Sequence, residues 1–394
     1  MTTSTTLRPD DLRSVRDALL DTAGTVSITG SGTAADWAGP LGPVDAVLDT
    51  TALTGVLTHN PGDMTVSVLA GTPLRTLAEE LASHGQHVSF DAARVADGAT
   101  VGGLVATADA GPAALVFGSL RDLVIGVTMV LADGTVSRSG GHVIKNVAGY
   151  DLAKLLHGSY GTLGVLVEVV LRLHPVPKRS ATLVVDCSLD EAREHAASLL
   201  GGQYEPAALE WISDDGHGQL IVRIDGTADA VSGRLQRLRE VLGSGAMDAS
   251  DTGPDAGPDS GPDSGADPWA RHAALVRGAP GLAVLRIGAK PSLLPGLITD
   301  LRADTVTAGL GTGVATVALA PEAVADAHAL VHAAGGTSVL RTRPPGSDVP
   351  AWGPPPSALA VLKAVKNEFD PLGRFGPGRF APWLVTPHDA EGSR

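Results

Sequence analysis

Residues 140–173 read Gly-Gly-His-Val-Ile-Lys-Asn-Val-Ala-Gly-Tyr-Asp-Leu-Ala-Lys-Leu-Leu-His-Gly-Ser-Tyr-Gly-Thr-Leu-Gly-Val-Leu-Val-Glu-Val-Val-Leu-Arg-Leu. The pattern predicts a short amphipathic helix over 150–157, a turn punctuated by Gly158, Gly161 and Gly164, and then an apolar strand. Glycines this dense let the main chain come within contact distance of something flat or anionic. Lys145 is the one cation in an otherwise neutral loop. It can balance a negative ligand, or it can be an ordinary surface or helix-end lysine. Asp151 is accounted for by helix capping and the helix dipole.

Two glycine-rich blocks lie upstream. The first, Gly30-Ser31-Gly32-Thr33-Ala-Ala35, follows a predicted strand over 25–29. It admits three readings: a relaxed dinucleotide fingerprint, a plain turn, or an anion loop without a long helix. The fingerprint needs a helix of some ten residues opening at the second glycine. Gly39-Pro40-Leu-Gly42-Pro43 stops any helix sooner. In the anion-loop reading the N–H groups of Gly30–Thr33 form a concave site, with the Ser31 and Thr33 hydroxyls as further donors. The second block, Thr100-Val-Gly102-Gly103-Leu-Val-Ala-Thr107-Ala-Asp-Ala-Gly111, is either a core turn or a second cradle with Thr100 and Thr107 as donors. A strand over 123–131, turned by Asp133-Gly134, leads back to the opening segment.

The chain has 394 residues, 43% hydrophobic and 18% charged, with a formal charge of −14. That length allows two domains. The acidic balance and the 3% aromatic content argue against nucleic-acid binding. The single cysteine, Cys187, cannot by itself hold an iron–sulfur cluster or a structural zinc. It reads as a small buried residue. Met1-Thr-Thr-Ser-Thr-Thr-Leu-Arg8 has no leader-like apolar stretch, and no window has the length of a membrane span. A cytoplasmic protein is expected.

Beyond Pro177 strand-like and helix-like runs alternate to about 354, as in an α+β domain with helices on one face of a sheet. The Gly-Pro-Asp-Ser repeats within 248–268 cannot bury a core and predict a disordered insert. His217, His272, His328 and His332 are scattered, so no metal site is expected. A helix over 358–369 and the turn Asp370-Pro-Leu-Gly-Arg-Phe-Gly376-Pro-Gly-Arg-Phe380 end the readable part.

The glycine-rich segments and the tail, in this order, resemble the PCMH-type FAD-binding domains of the vanillyl-alcohol-oxidase superfamily, and within it the FAD-binding subunits of bacterial glycolate oxidase. The resemblance implies an α+β fold: a two-subdomain FAD-binding domain over 1–177, a ferredoxin-like cap over 178–354, and a C-terminal segment, 355–394, packing back on the FAD domain. It implies FAD held by Gly30, Ser31, Gly32, Thr33, Thr100, Gly102, Gly103, Thr107, Gly111, Lys145, Gly161, Thr162, Gly164 and Val165. With no His near the first loop and Cys187 at the start of the cap, the FAD is expected to be non-covalent. The family turn usually carries Asn where Gly376 stands. The His-x-Gly-Asp-Gly-Asn-like motif of related hydroxyacid dehydrogenases is absent, and no catalytic residue is assigned. The implied function is glycolate oxidation to glyoxylate, hydride passing to the flavin N5. The implied partners are a larger FAD subunit with the hydroxyacid site and an iron–sulfur subunit, through which any membrane association would come. A self-sufficient oxidoreductase of another 2-hydroxyacid or alcohol and a non-catalytic assembly subunit remain as alternatives.

Overall fold

The computed structural model describes residues 4–143, 150–214, 216–252 and 267–384. The chain divides into two units, one of residues 1–110, 117–176 and 355–394, the other of 111–116 and 177–354.

The first unit has two sheets. In the smaller, β1 (Thr5–Leu7), β2 (Val26–Thr29) and β3 (Ala46–Asp49) are parallel, in the order β1-β3-β2. Helix α1 (Leu12–Asp21) opens with a reciprocal cap between Asp11 and Ser14 and turns Val15 and Leu19 inward. The larger sheet is antiparallel and combines β4 (Val56–Asn60), β5 (Thr65–Leu69), β7 (Val124–Val130), β8 (Val136–Gly140) and β9 (Val165–Arg172), in the order β4-β5-β9-β7-β8. Between these strands lie α2 (Leu74–Ala82), the short β6 (Gln86–His87), α3 (Val101–Ala106), α4 (Ala114–Phe117), α5 (Leu120–Leu123) and α6 (Leu152–Leu156). The run β9 is apolar at almost every position because both of its faces are covered: Val169 and Leu171 belong to one core, Val165 and Val167 to another. The two-residue β10 (His174–Pro175) pairs with β6. Asp122 caps α5 by accepting from the Ser119 amide at 3.0 Å. Asp151 stands at the start of α6 without a capping hydrogen bond and faces Lys154 at 3.5 Å.

In the second unit eight strands form one antiparallel sheet. They are β11 (Arg179–Asp186), β12 (Ala208–Asp214), β13 (His217–Gly226), β14 (Met247–Asp251), β15 (Ala283–Gly288), β16 (Thr305–Gly309), β17 (Val314–Leu319) and β18 (Thr337–Thr342). The helices are α7 (Leu189–Gly201), α8 (Ala228–Leu242), α9 (Pro268–Arg277), α10 (Leu294–Leu301) and α11 (Val324–Ala333). The sheet order is β14-β11-β13-β12-β16-β17-β15-β18. Each half is a βαββαβ unit with its first and third strands central, so the expected ferredoxin-like layout occurs twice, joined through β12 and β16. α7, α8, α10 and α11 pack into one core with the sheet, and α9 lies on the other face with Val184, Ile212 and Ile221. Met247–Asp251 is a strand where the sequence reading begins the insert; the repeats over 253–266 lie outside the described residues.

The last helix, α12 (Leu359–Phe369), belongs to the first unit. Behind it, Phe375 is fully buried and pairs as an isolated bridge with Val26, extending the small sheet.

Candidate functional site

A cleft of about 810 Å³, counting space open to solvent, runs through the first unit. One end is the loop after β2. No helix follows this loop before β3, which removes the dinucleotide-fingerprint reading. Gly32 sits at φ +76°, and a Cβ there would meet nothing within 4 Å, so the loop opens directly onto the cleft. Among the described residues, the amides of Ser31, Gly32 and Thr33 have no protein acceptor. Consecutive N–H groups left unsatisfied at a cleft wall form an anion-binding concavity.

The hydroxyls divide by their bonding. Thr100 Oγ1 accepts from the Gly103 amide at 3.2 Å, and its hydrogen has no acceptor among the described residues. Thr33 Oγ1 accepts from Arg94 Nη1 at 3.0 Å and is likewise left with a hydrogen to give. Thr107 differs: its hydroxyl donates to the Gly103 carbonyl at 2.8 Å and accepts from Arg94 Nη2 at 2.8 Å. It lines the cleft but has no hydrogen for a ligand.

Arg94 is the residue that the sequence reading passes over. It is 5% exposed, lines the cleft, and pairs through Nε with Asp109 at 3.0 Å. Its guanidinium lies 3.9 Å from the centre of the Trp37 ring. A cation so buried needs its donors met, and these partners come from two separated segments: Thr33 from one, Thr107 and Asp109 from the other. Only that convergence marks it out; a lone Arg between Ala93 and Val95 carries no sequence signal.

Of the other expected residues, Gly30, Ser31, Gly102, Gly103, Gly161 and Gly164 also line the cleft. Two of these glycines are needed for packing against protein. A Cβ on Gly102 would stand 2.9 Å from the Ala70 Cβ, and one on Gly164 2.3 Å from the Met129 Cε. Thr162 and Val165 are buried away from the cleft walls; the Thr162 hydroxyl donates to the Ser159 carbonyl at 2.7 Å. Gly111 does not line the cleft. It belongs to the second unit, where the neighbouring Leu115 packs against the core. Lys145 lies outside the described residues. The wall over 158–161 is tied to α3 by the Gly158 amide on the Val105 carbonyl (3.1 Å) and the Tyr160 amide on the Ala106 carbonyl (2.7 Å).

The tail completes the site from below. Lys366 Nζ donates to Asp370 at 2.6 Å and to the carbonyls of Thr162 and Phe375 at 2.8 and 3.1 Å. Asp370 also accepts the amides of Arg374 and Phe375. Arg374 donates to the carbonyls of Leu19, Thr22, Gly24 and Ala132. Arg379, which lines the cleft, donates to the carbonyls of Ala35, Trp37 and Gly39 at 2.9, 3.0 and 3.2 Å, and burial lowers its pKa. Gly376, at φ +55°, leaves only 3.0 Å between a Cβ and the Thr162 methyl. A bulkier residue is confined there, and the closing contacts are made by Lys366, Asp370 and Arg374.

The remaining candidates of the sequence are structural. His328 is buried, with Nδ1 2.6 Å from the Ser338 hydroxyl and Nε2 3.1 Å from the Pro350 carbonyl; burial depresses its pKa. Burial pushes the Cys187 thiol up to about 11. Among the described residues no three His, Cys, Asp or Glu side chains converge as metal ligands, and no helix is long and apolar enough to cross a membrane.

The family of FAD binding domains matches residues 7–140, which contain the anion loop, Arg94 and the Thr100–Thr107 wall. Residues 7–140 are thus similar to FAD binding domains, and FAD is the cofactor this similarity supports. Glycolate oxidase subunit GlcE of Escherichia coli (strain K12) is 36% identical over 196 residues, which is 50% of this chain and 54% of that protein. Glycolate oxidase subunit GlcD of Bacillus subtilis (strain 168) is 39% identical over 114 residues, 29% of this chain and 24% of that protein. A D-lactate dehydrogenase of Archaeoglobus fulgidus is 36% identical over 143 residues, 36% of this chain and 32% of that protein. The matches thus span about half or less of these relatives. Among solved structures, an alkyldihydroxyacetonephosphate synthase superposes over 94% of this chain and 76% of its own length, with a TM-score of 0.67 at 14% identity. That likeness shows the fold.

Proposed function

We propose that this chain is the FAD-binding subunit of a 2-hydroxyacid-oxidising complex, with glycolate as substrate and glyoxylate as product. The observation that carries the reading is the cleft itself: a ready anion site at one end, a wall of small and apolar residues along it, and a similarity to GlcE at 36% identity. Bound FAD supplies a two-electron acceptor for the C–H bond of an alcohol. The chain's own residues do the holding. The Ser31–Thr33 amides and the Thr33 and Thr100 hydroxyls meet the pyrophosphate and ribityl oxygens, while Ile28, Ala70, Ala106 and Leu166 keep water from the apolar part. Non-covalent attachment is supported by the absence of His and Cys between Thr33 and Thr58.

With one cysteine in this sequence, cluster ligands for onward electron transfer come from an iron–sulfur partner. A larger FAD subunit carries the hydroxyacid site, and this chain relays electrons or supports assembly. The test is to purify the chain alone and with partner subunits, release its flavin with acid, and follow glycolate-dependent dye reduction. Released FAD, little turnover alone and robust turnover with partners are expected. Robust glycolate turnover by the isolated chain rejects the relay, and turnover with another hydroxyacid only rejects glycolate.

A further inference from the structure

We propose that Arg94 is a positioning residue that commits the Ser31–Thr33 loop to a diphosphate, acting through the Thr33 hydroxyl. The inference rests on FAD occupying the cleft and adds the device that selects its charged half. A hydroxyl has one hydrogen to donate and can accept at its lone pairs. Arg94 Nη1 occupies the Thr33 oxygen from behind at 3.0 Å, so the hydrogen cannot point back at the guanidinium and is left for an acceptor in the cleft. A hydroxyl that accepts from a cation is also a stronger donor, because the two bonds polarise one another.

The arrangement is built for this. Nε is held by Asp109 at 3.0 Å, Nη2 by Thr107 at 2.8 Å, and the guanidinium face by Trp37. Only a planar fork can meet these partners together; an ammonium is a single point. Asp109, which also accepts the Ala110 amide at 3.0 Å, lies on the Nε side of the guanidinium. The hydroxyls lie on the Nη side. The buried pair is therefore neutral as a whole and oriented with its positive end toward the loop. Ser31 and Gly32 then offer amides beside a hydroxyl already set as a donor, a combination that suits a doubly charged oxygen cluster and is indifferent to the uncharged isoalloxazine.

The test uses the full chain stripped of flavin and titrated with FAD and with riboflavin, which lacks phosphate. The proteins are wild type, Arg94→Lys (which keeps a cation against Asp109), Thr33→Val, and the double variant. Each single change should weaken FAD roughly 10- to 100-fold. The double variant should be no weaker than Thr33→Val alone, since both remove the same donor. Riboflavin affinity should stay constant throughout. Losses that multiply in the double variant, a parallel fall in riboflavin binding, or unchanged FAD affinity in either single variant overturns the proposal. A wild-type chain that binds neither flavin overturns the cofactor reading itself, and the role of Arg94 with it.

Discussion

The two units of this chain solve the same problem, burying a backbone, with different chemistry. In the second unit regular strands and helices satisfy their own N–H and C=O groups, and one continuous apolar core, in which Leu285, Leu220 and Leu238 are fully buried, holds them. In the first, long irregular segments around the cleft lack such partners. Charged side chains take their place: the buried Lys366, Asp370, Arg374 and Arg94 and the half-buried Arg379 donate to, or accept from, loop backbone and hydroxyls. The difference teaches that a site assembled from loops depends on a few polar groups, each holding several segments, whereas a scaffold of regular elements spreads its stability over many apolar contacts.

The largest expected effect comes from Asp370→Ala. It strands the buried Lys366 ammonium and two amides at once, and should cost about 3–5 kcal/mol in urea unfolding. Because Arg379 reaches the 35–39 loop from the same tail, FAD affinity of the folded variant should fall as well. Leu285→Ala should cost about 2–5 kcal/mol through the cavity it leaves, but with FAD affinity unchanged. If Leu285→Ala weakens FAD as much as Asp370→Ala does, the contrast between the units breaks.

The smallest effect concerns pH. Burial holds the folded-state pKa of His328 below its ordinary 6.5, so below that pH the unfolded chain binds the extra proton first. Stability is complete above about 6.5 and is lost as the pH falls from there through the lowered folded-state value. His328→Gln should flatten part of that acid slope in unfolding curves taken between neutral pH and about pH 5. A slope should remain from His174 in the first unit, also depressed by burial, with Arg172 and His87 adding to it. An unchanged slope in the variant would remove His328 from the account.

Much of this was legible in local pattern. Turn glycines, hairpin signals such as Asp133-Gly134, and apolar periodicity act over a few residues, so the glycine-rich turn at 30–33 and the β7–β8 hairpin could be read directly, while the return of the tail followed from the family resemblance. The edges of the reading failed where partners are distant. Gly102 and Gly164 are glycines because Ala70 and Met129 crowd them, contacts separated by some thirty residues in each case. Gly111 left the cleft because Leu115 is drawn into the second unit's core. The second ferredoxin-like half escaped notice because its strand β16 carries the mixed run Thr-Val-Thr-Ala-Gly, whose register is set by β12 and β17 rather than by its own hydropathy.

By itself the sequence determined where the strands and glycine-rich turns lie, because spacing and periodicity are properties of neighbouring residues; the class of fold and the flavin cofactor followed from the family resemblance that those turns carry. Only the tertiary structure decided which hydroxyls still have a hydrogen to give. Thr33 and Thr107 are indistinguishable as letters. They differ because the Gly103 carbonyl takes the hydrogen of one, and because Arg94, sixty-one residues from the other, fills its oxygen and leaves its hydrogen to the cleft.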